Sequence, residues 1–209
     1  MIDFGEIYFQ NFYLQTMYKE ILIQYLQKVL PMPIEKAEQI ASTFHYKHVE
    51  KGTFLIEEGK ICNTSHFIAK GCARMFTDDR DGNDVTTMIF SNAMFANDFY
   101  SFFKRTPASE NLVAMSDCDT FYLEFEELQH NFHTIPEFRE FGRMMLINGS
   151  FALKQRMLSM IKQSGEQRYA QLMENQPEIF QYIPLKNIAT YLGITDTSLS
   201  RIRRDFMKK

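Results

Sequence analysis

Tryptophan is missing from this 209-residue chain, and cysteine is scarce. The three cysteines, Cys62, Cys72 and Cys118, are scattered, and none belongs to a Cys-x-x-Cys pair. An odd number of isolated thiols fits a reducing compartment rather than a disulfide framework. Acidic residues come early and no basic leader precedes an apolar core, so no targeting segment is expected, and the cytoplasm is the expected location. No apolar run approaches the roughly 20 residues that span a bilayer, so no membrane partner is expected. Repeats and low-complexity stretches are missing too. The sequence offers no nucleophile–base pair, P-loop or dinucleotide fingerprint, so neither catalysis nor a cofactor is expected. The net charge of −3 gives no whole-chain sign of a nucleic-acid partner.

What is there begins with aromatics. Twenty Phe and ten Tyr, in a chain that is 45% hydrophobic, allow a substantial core. The length suits one large domain, or one medium and one small.

The most specific pattern is the last one. Ile188, Leu192, Ile194, Leu199 and Ile202 are apolar at the spacing of two crossing helices. Ala189 sits where crossing helices leave room only for a small side chain. Gly193 falls at the turn, where a positive φ is cheap without a Cβ. Thr195 offers a hydroxyl N-cap to the second helix. This is a helix-turn-helix, whose second helix lies in the DNA major groove. From Asp196 onward the basic residues Arg201, Arg203, Arg204, Lys208 and Lys209 outnumber Asp196 and Asp205, leaving a local charge of +3 that attracts DNA.

Upstream, the pattern changes twice. Residues 6–30 are helical, with Ile21, Leu22, Tyr25, Leu26 and Val29 on one face, and Pro31 and Pro33 end the run. A short helix over roughly 34–44 follows. From 46 to about 125, β-rich runs alternate with turn signals: 53–56, 66–69, 72–77, 84–90, 111–115 and 120–124, with an Asp81-Gly82 hairpin turn and a short helix from Asp98 to about Phe103. Such spacing means a sandwich or barrel, and a jelly roll fits. A long helix runs from Pro136 to about Gln163. On it Met144, Ile147, Phe151, Leu158 and Ile161 form a heptad seam broken by Lys154. The seam can hold a twin helix in a dimer or pack back on the chain's own barrel; a paired DNA reader favours the dimer. Ser164-Gly-Glu-Gln167 is a capping box that starts the next helix. The expected class is α+β: helical lead-in and jelly-roll β-barrel over 1–135, connecting dimer helix over 136–163, helix-turn-helix over 164–209.

This order of elements resembles the Crp/Fnr family of bacterial transcription regulators. Lys51-Gly-Thr-Phe-Leu-Ile-Glu-Glu-Gly59, Phe67-Ile-Ala-Lys-Gly71 and Leu192-Gly-Ile-Thr-Asp-Thr-Ser-Leu-Ser-Arg-Ile202 carry the resemblance, which covers nearly the full chain. It implies a homodimer that binds a pseudo-palindromic operator in double-stranded DNA and recruits or blocks RNA polymerase. It also implies a sensor domain that in many members holds a cyclic nucleotide in a Phe-Gly-Glu, short helix, Arg-Ser/Thr-Ala cassette. Here the matching residues are Phe95, Asn97 and Asp98, then Ala108, Ser109 and Glu110, with Ala108 in the arginine position. A phosphate facing Glu110 instead of an arginine is penalised, so cAMP is not expected; Arg105 could substitute only if the loop shifts. The effector is another small molecule or none. Redox-sensing members carry an N-terminal cysteine cluster, and no cysteine precedes Cys62. The family's β-hairpin wing is expected to be missing after Lys209, which would leave phosphate contacts to the helix end itself.

On the second helix, Asp196, Thr197, Ser198 and Arg201 are the candidate base readers. Arg201 fits a bidentate fork to guanine, or else an ion pair or phosphate contact. Asp196 can accept from cytosine, or simply complement the helix dipole. Lys186, Asn187, Thr195, Ser200, Arg203, Arg204, Lys208 and Lys209 are phosphate candidates or solvated surface. His45-x-x-His48 and His130-x-x-His133 bring no further ligand for zinc, so no metal is expected. The competing function is a small-molecule-binding or protein-interaction module whose helix-turn-helix is vestigial.

Overall fold

Pro31 and Pro33 divide two helices, as their lack of an N–H and their fixed φ dictate. The computed structural model describes residues 4–206, with side chains from residue 14 onward. Helix α1 (Phe4–Val29) buries Tyr18, Leu22, Ile23 and Leu26, and α2 (Ile34–Ala41) buries Ala37, Ile40 and Ala41. α2 stops three residues earlier than the sequence predicts. Thr43 and Ser42 turn their hydroxyls onto Ile40 and Gln39 carbonyls, and the chain leaves the helix there.

Strands β1 (His45–Val49), β2 (Phe54–Ile56), β3 (Thr64–Lys70), β4 (Ala73–Asp78), β5 (Asp84–Phe90), β6 (Met94–Ala96), β7 (Asn111–Ala114) and β8 (Cys118–Glu124) follow, with α3 (Phe99–Lys104) between β6 and β7. They form two antiparallel four-stranded sheets, ordered β1-β8-β3-β6 and β2-β7-β4-β5. This is a jelly-roll-like sandwich, and it corrects the expected barrel. β5 and β6 follow each other in the chain but are edge strands of different sheets, and no ladder among the described residues joins the two sheets. At the β3–β4 turn Gly71 has φ +109°, and a Cβ there would stand 2.6 Å from the Asp117 carbonyl oxygen and the Cys118 sulfur. Only glycine fits.

Helix α4 (Phe125–Thr134), held by a capping box between Glu124 and Glu127, and helix α5 (Pro136–Lys162) come next. The first half of α5 buries Phe138 and Phe141 against Phe44, Phe95 and Tyr25. Its second half leaves large apolar side chains exposed. The Ser164–Gln167 capping box starts α6 (Gly165–Asn175) as its sequence predicts. Then come α7 (Ile179–Tyr182), α8 (Leu185–Leu192) and α9 (Asp196–Phe206).

Two cores result. One joins the helices of the first half to the sandwich. The other holds Tyr169, Leu172, Ile179, Ile183, Ile188, Leu192 and Leu199 together with Cys72 and Ile89 of the sandwich, so the C-terminal helices dock on the β4–β5 side. The cysteines are free and buried; burial pushes the Cys72 thiol up to about 12 and also raises those of Cys62 and Cys118, which keeps them protonated. Among the described residues no helix is long and apolar enough to cross a membrane.

Candidate functional site

The C-terminal helix pair is set by three local features. Gly193 ends α8 in the left-handed region, with φ 64° and ψ 38°. A Cβ on it would also meet the Met160 methyl at 2.5 Å, so α5 lies against this turn. Thr195 Oγ1 accepts the Ser198 N–H at 3.2 Å, which caps α9. Ile188, Ala189, Leu192 and Leu199 are buried between the two helices and their supports. The turn, the cap and the apolar residues between α8 and α9 therefore lie where the sequence puts them.

Two arginines that the sequence reading passes over fix the C-terminal end of α8. Arg156 of α5 donates to the Tyr191 carbonyl at 3.0 Å and stacks its guanidinium 3.9 Å from that ring's centroid. Arg168 of α6 donates to the Leu192 carbonyl at 2.9 Å and to that of Gln163. Cations on the last carbonyls of a helix satisfy groups with no intrahelical partner. Their distance in sequence hides them: nothing local announces a cap supplied from another helix.

On α9, Asp196, Thr197, Ser200, Arg201 and Arg204 are exposed, while Ser198 and Arg203 are half-buried. Thr197 and Arg201 lie one turn apart on the open face. Thr195 engages both neighbouring hydroxyls: it donates to Ser198 Oγ at 2.9 Å, and Thr197 Oγ1 lies 3.0 Å from it. Arg204 stands 3.8 Å from Asp205, an exposed pair of little energetic weight. Lys186 is exposed at the start of α8. Asn187 turns the other way, its amide 3.4 Å from Asp84 on the sandwich. Lys208 and Lys209 lie outside the described residues.

Asn187 belongs to a polar contact between α8 and β5. Thr190 Oγ1 accepts the Thr86 N–H at 3.1 Å. Behind it the buried Arg74 pairs with Asp84, donates to Thr86 Oγ1 at 3.0 Å, and lies 4.1 Å from the Phe76 ring centroid.

The cassette positions are spread around α3. Asp98 caps that helix, accepting the Ser101 N–H at 3.0 Å. Asn97 is buried and donates to Ser65 Oγ at 3.0 Å. Phe95 packs among Tyr25, Phe44, Phe67 and Phe141. Ala108 is buried, and its N–H and carbonyl bond the Lys60 carbonyl and Gly59 N–H. Ser109 is exposed and Glu110 half-buried. Arg105 ends α3 with φ 55° and reaches the Cys62 carbonyl at 3.0 Å and Asn63 at 2.6 Å, stacked on Phe125.

Residues 46–134 match the family of the cyclic nucleotide-binding domain. The match spans the sandwich and α4. The chain has the fold of several solved regulators. The c-di-GMP-responsive global regulator CLP of Xanthomonas campestris superposes with a TM-score of 0.63 at 12% identity, over 84% of this chain and 92% of that one. FixK2 of Bradyrhizobium japonicum gives 0.66 at 13% identity, over 79% and 85%. The catabolite activator protein of Thermus thermophilus gives 0.54 at 17% identity, over 88% and 87%. No curated protein matches the sequence. At these identities the likeness speaks for the fold: a cyclic nucleotide-binding domain followed by a long helix and a C-terminal helical unit.

Four of the five histidines make ordinary contacts. His45 faces Glu127 at 2.5 Å and His48 faces Asp119 at 3.0 Å. His66 is buried between Thr64 and Thr120, and His133 bonds the Gln129 carbonyl.

Proposed function

We propose that this protein is a homodimeric, sequence-specific DNA-binding transcription regulator. The observation that carries the reading is the open face of α9, where Thr197 and Arg201 stand exposed one turn apart on a helix held from behind by Leu199. A helix presented in this way enters the major groove, Arg201 forks to a guanine edge, and exposed Lys186 and Arg204 meet flanking phosphates. A dimer would present two such helices to half-sites about 34–36 Å apart. RNA polymerase is the natural further partner of a regulator so placed.

In this reading the units are 1–135, 136–163 and 164–209, and α5 is both dimer element and transmitter. Its Arg156 grips the end of α8, so a rotation of α5 moves the DNA-reading pair directly. The sensor does not fit a cyclic nucleotide. Ala108 offers no cation and has both backbone groups committed, Arg105 is committed to Cys62 and Asn63, and Glu110 adds like charge.

Selection of bound genomic fragments, followed by gel shifts between about 50 and 200 mM salt, tests the reading. Specific binding should weaken steeply with salt. Arg201→Ala should weaken the selected site and relax its preference at one position, and Arg204→Ala should weaken all sequences alike. No affinity at low salt overturns it. In that case a protein-interaction role for the C-terminal pair takes its place.

A further inference from the structure

Between the second half of α5, α6 and the end of α8 lies a cleft of about 410 Å³. That volume falls within the roughly 300–1,000 Å³ of small-molecule sites. Three cations line it, Arg156 and Lys162 of α5 and Arg168 of α6, and no Asp or Glu does. None of the three makes an ion pair among the described residues. Much of the remaining polar wall is side-chain amide, from Gln155, Gln171 and Asn175 among others.

The arginines keep donors in reserve. Arg156 commits Nη2 to the Tyr191 carbonyl, and Arg168 commits Nε and Nη1 to the Leu192 and Gln163 carbonyls. Arg156 Nη1 and Arg168 Nη2 have no hydrogen-bond partner among the described residues, and neither is sealed from solvent. Lys162 is exposed.

Charge selects the ligand. The carbonyl ends of α5 and α8, which these arginines cap, carry roughly half a negative charge each. About two of the three positive charges are therefore unopposed, and a carboxylate would cancel only one. A phosphate monoester carries about −1.5 to −2 near pH 7 and offers three strong acceptor oxygens. Guanidinium forks meet such oxygens with paired, charge-assisted hydrogen bonds. No residue of α9 lines the cleft, so it is separate from the DNA-reading face. We propose that the cleft binds a phosphate dianion, free or carried by a small molecule, between Arg156, Lys162 and Arg168. A phosphate held there ties α5 to α6 beside the α8 carbonyls that the same arginines cap. What the binding controls rests on the regulator reading; the binding itself does not.

The test uses the full chain without DNA, at constant ionic strength. It follows the phosphorus resonance of phenyl phosphate, with inorganic phosphate and acetate as competitors. Saturable binding is expected, with a Kd on the order of a millimolar or tighter. Binding should weaken below about pH 6, where the monoester takes up its second proton; no histidine lines the cleft to titrate with it. Lys162→Gln should weaken binding about tenfold or more, and Lys162→Arg should keep most of it. Lys154→Gln removes the same charge from α5 outside the cleft and should change binding by less than about twofold. Both lysines are exposed, so neither substitution disturbs a core. Inorganic phosphate competing on equal terms names the free anion as the ligand, and a tighter hold on the ester names an organic phosphate. Lack of saturable binding, equal effects of Lys154→Gln and Lys162→Gln, or acetate competing as well as phosphate overturns the proposal. A DNA duplex whose binding Lys162→Gln weakens as much as that of phenyl phosphate gives the cleft to backbone phosphates and overturns it too. A negative phosphate titration leaves the DNA-binding reading standing, since no DNA is present in it.

Discussion

Thr190 on α8 accepts the backbone N–H of Thr86 on β5 at 3.1 Å. β5 is an edge strand, so this N–H would otherwise face solvent or a stray strand. The C-terminal unit thus closes a sheet edge as well as covering an apolar face. Thr190→Val keeps the shape and removes the acceptor. It should cost about 1–3 kcal/mol by urea denaturation, with faster amide exchange at Thr86, while Thr190→Ser stays near the wild type.

Gly193 sits in the left-handed region, and the Met160 methyl that an added Cβ would meet is the far end of an exposed, flexible side chain that can move aside. Gly193→Ala should therefore cost about 1–2 kcal/mol, from the backbone. The same cost should appear by urea denaturation in a Met160→Ala background. A cost that shrinks there shows that the contact with α5 carries weight.

His66 is buried, and burial pushes its pKa down from 6.5 to about 4, with the Lys47 charge adding to the effect. Between those values the unfolded chain binds a proton that the folded chain refuses. The stability tied to His66 is therefore complete above about pH 6.5 and is lost as pH falls toward 4. The full span is on the order of 3 kcal/mol. Urea midpoints measured from pH 7 to pH 5, above the range of most carboxylates, should fall in the wild type and fall less in His66→Gln.

Particular residues show which parts of this arrangement the sequence carries. Gly193, Thr195 and the Ser164–Gln167 box are local devices, each within four residues of what it caps, and they lie where the pattern puts them. β1 and β6 are not marked. His45-Tyr-Lys-His-Val49 is polar on both sides, and Met94–Ala96 has three residues, so neither shows a period. α4 is also missed, because its N-cap is Glu124 rather than a hydroxyl residue. The docking of α8 on β5 joins positions about a hundred residues apart and has no local signature. The same holds for Arg156 and Arg168. Nor does the sequence show that Arg105 is tied down by Asn63 and Phe125.

The dimer reading meets a choice on α5. The predicted seam includes Phe151 and Ile161, which are 66% and 72% exposed, whereas Met144, Ile147 and Leu158 are half-buried. A second stripe, Leu146, Leu153, Met157 and Met160, is 54%, 59%, 48% and 41% exposed. It has heptad spacing too and no charged residue within it, unlike the seam that holds Lys154. Both stripes cannot form the centre of one two-helix contact, because they lie on different sides of the helix. A carboxylate buried at the true seam should raise the dimer dissociation constant by at least roughly tenfold, about 1.4 kcal/mol. Sedimentation of Phe151→Glu and Leu153→Glu, each carrying the same charge at a similarly exposed site, separates the two. The uncharged stripe, polar only at Ser150, predicts that Leu153→Glu dissociates the protein and Phe151→Glu does not. The reverse result restores the seam through Lys154, and a wild-type chain that sediments as a monomer at every concentration removes both.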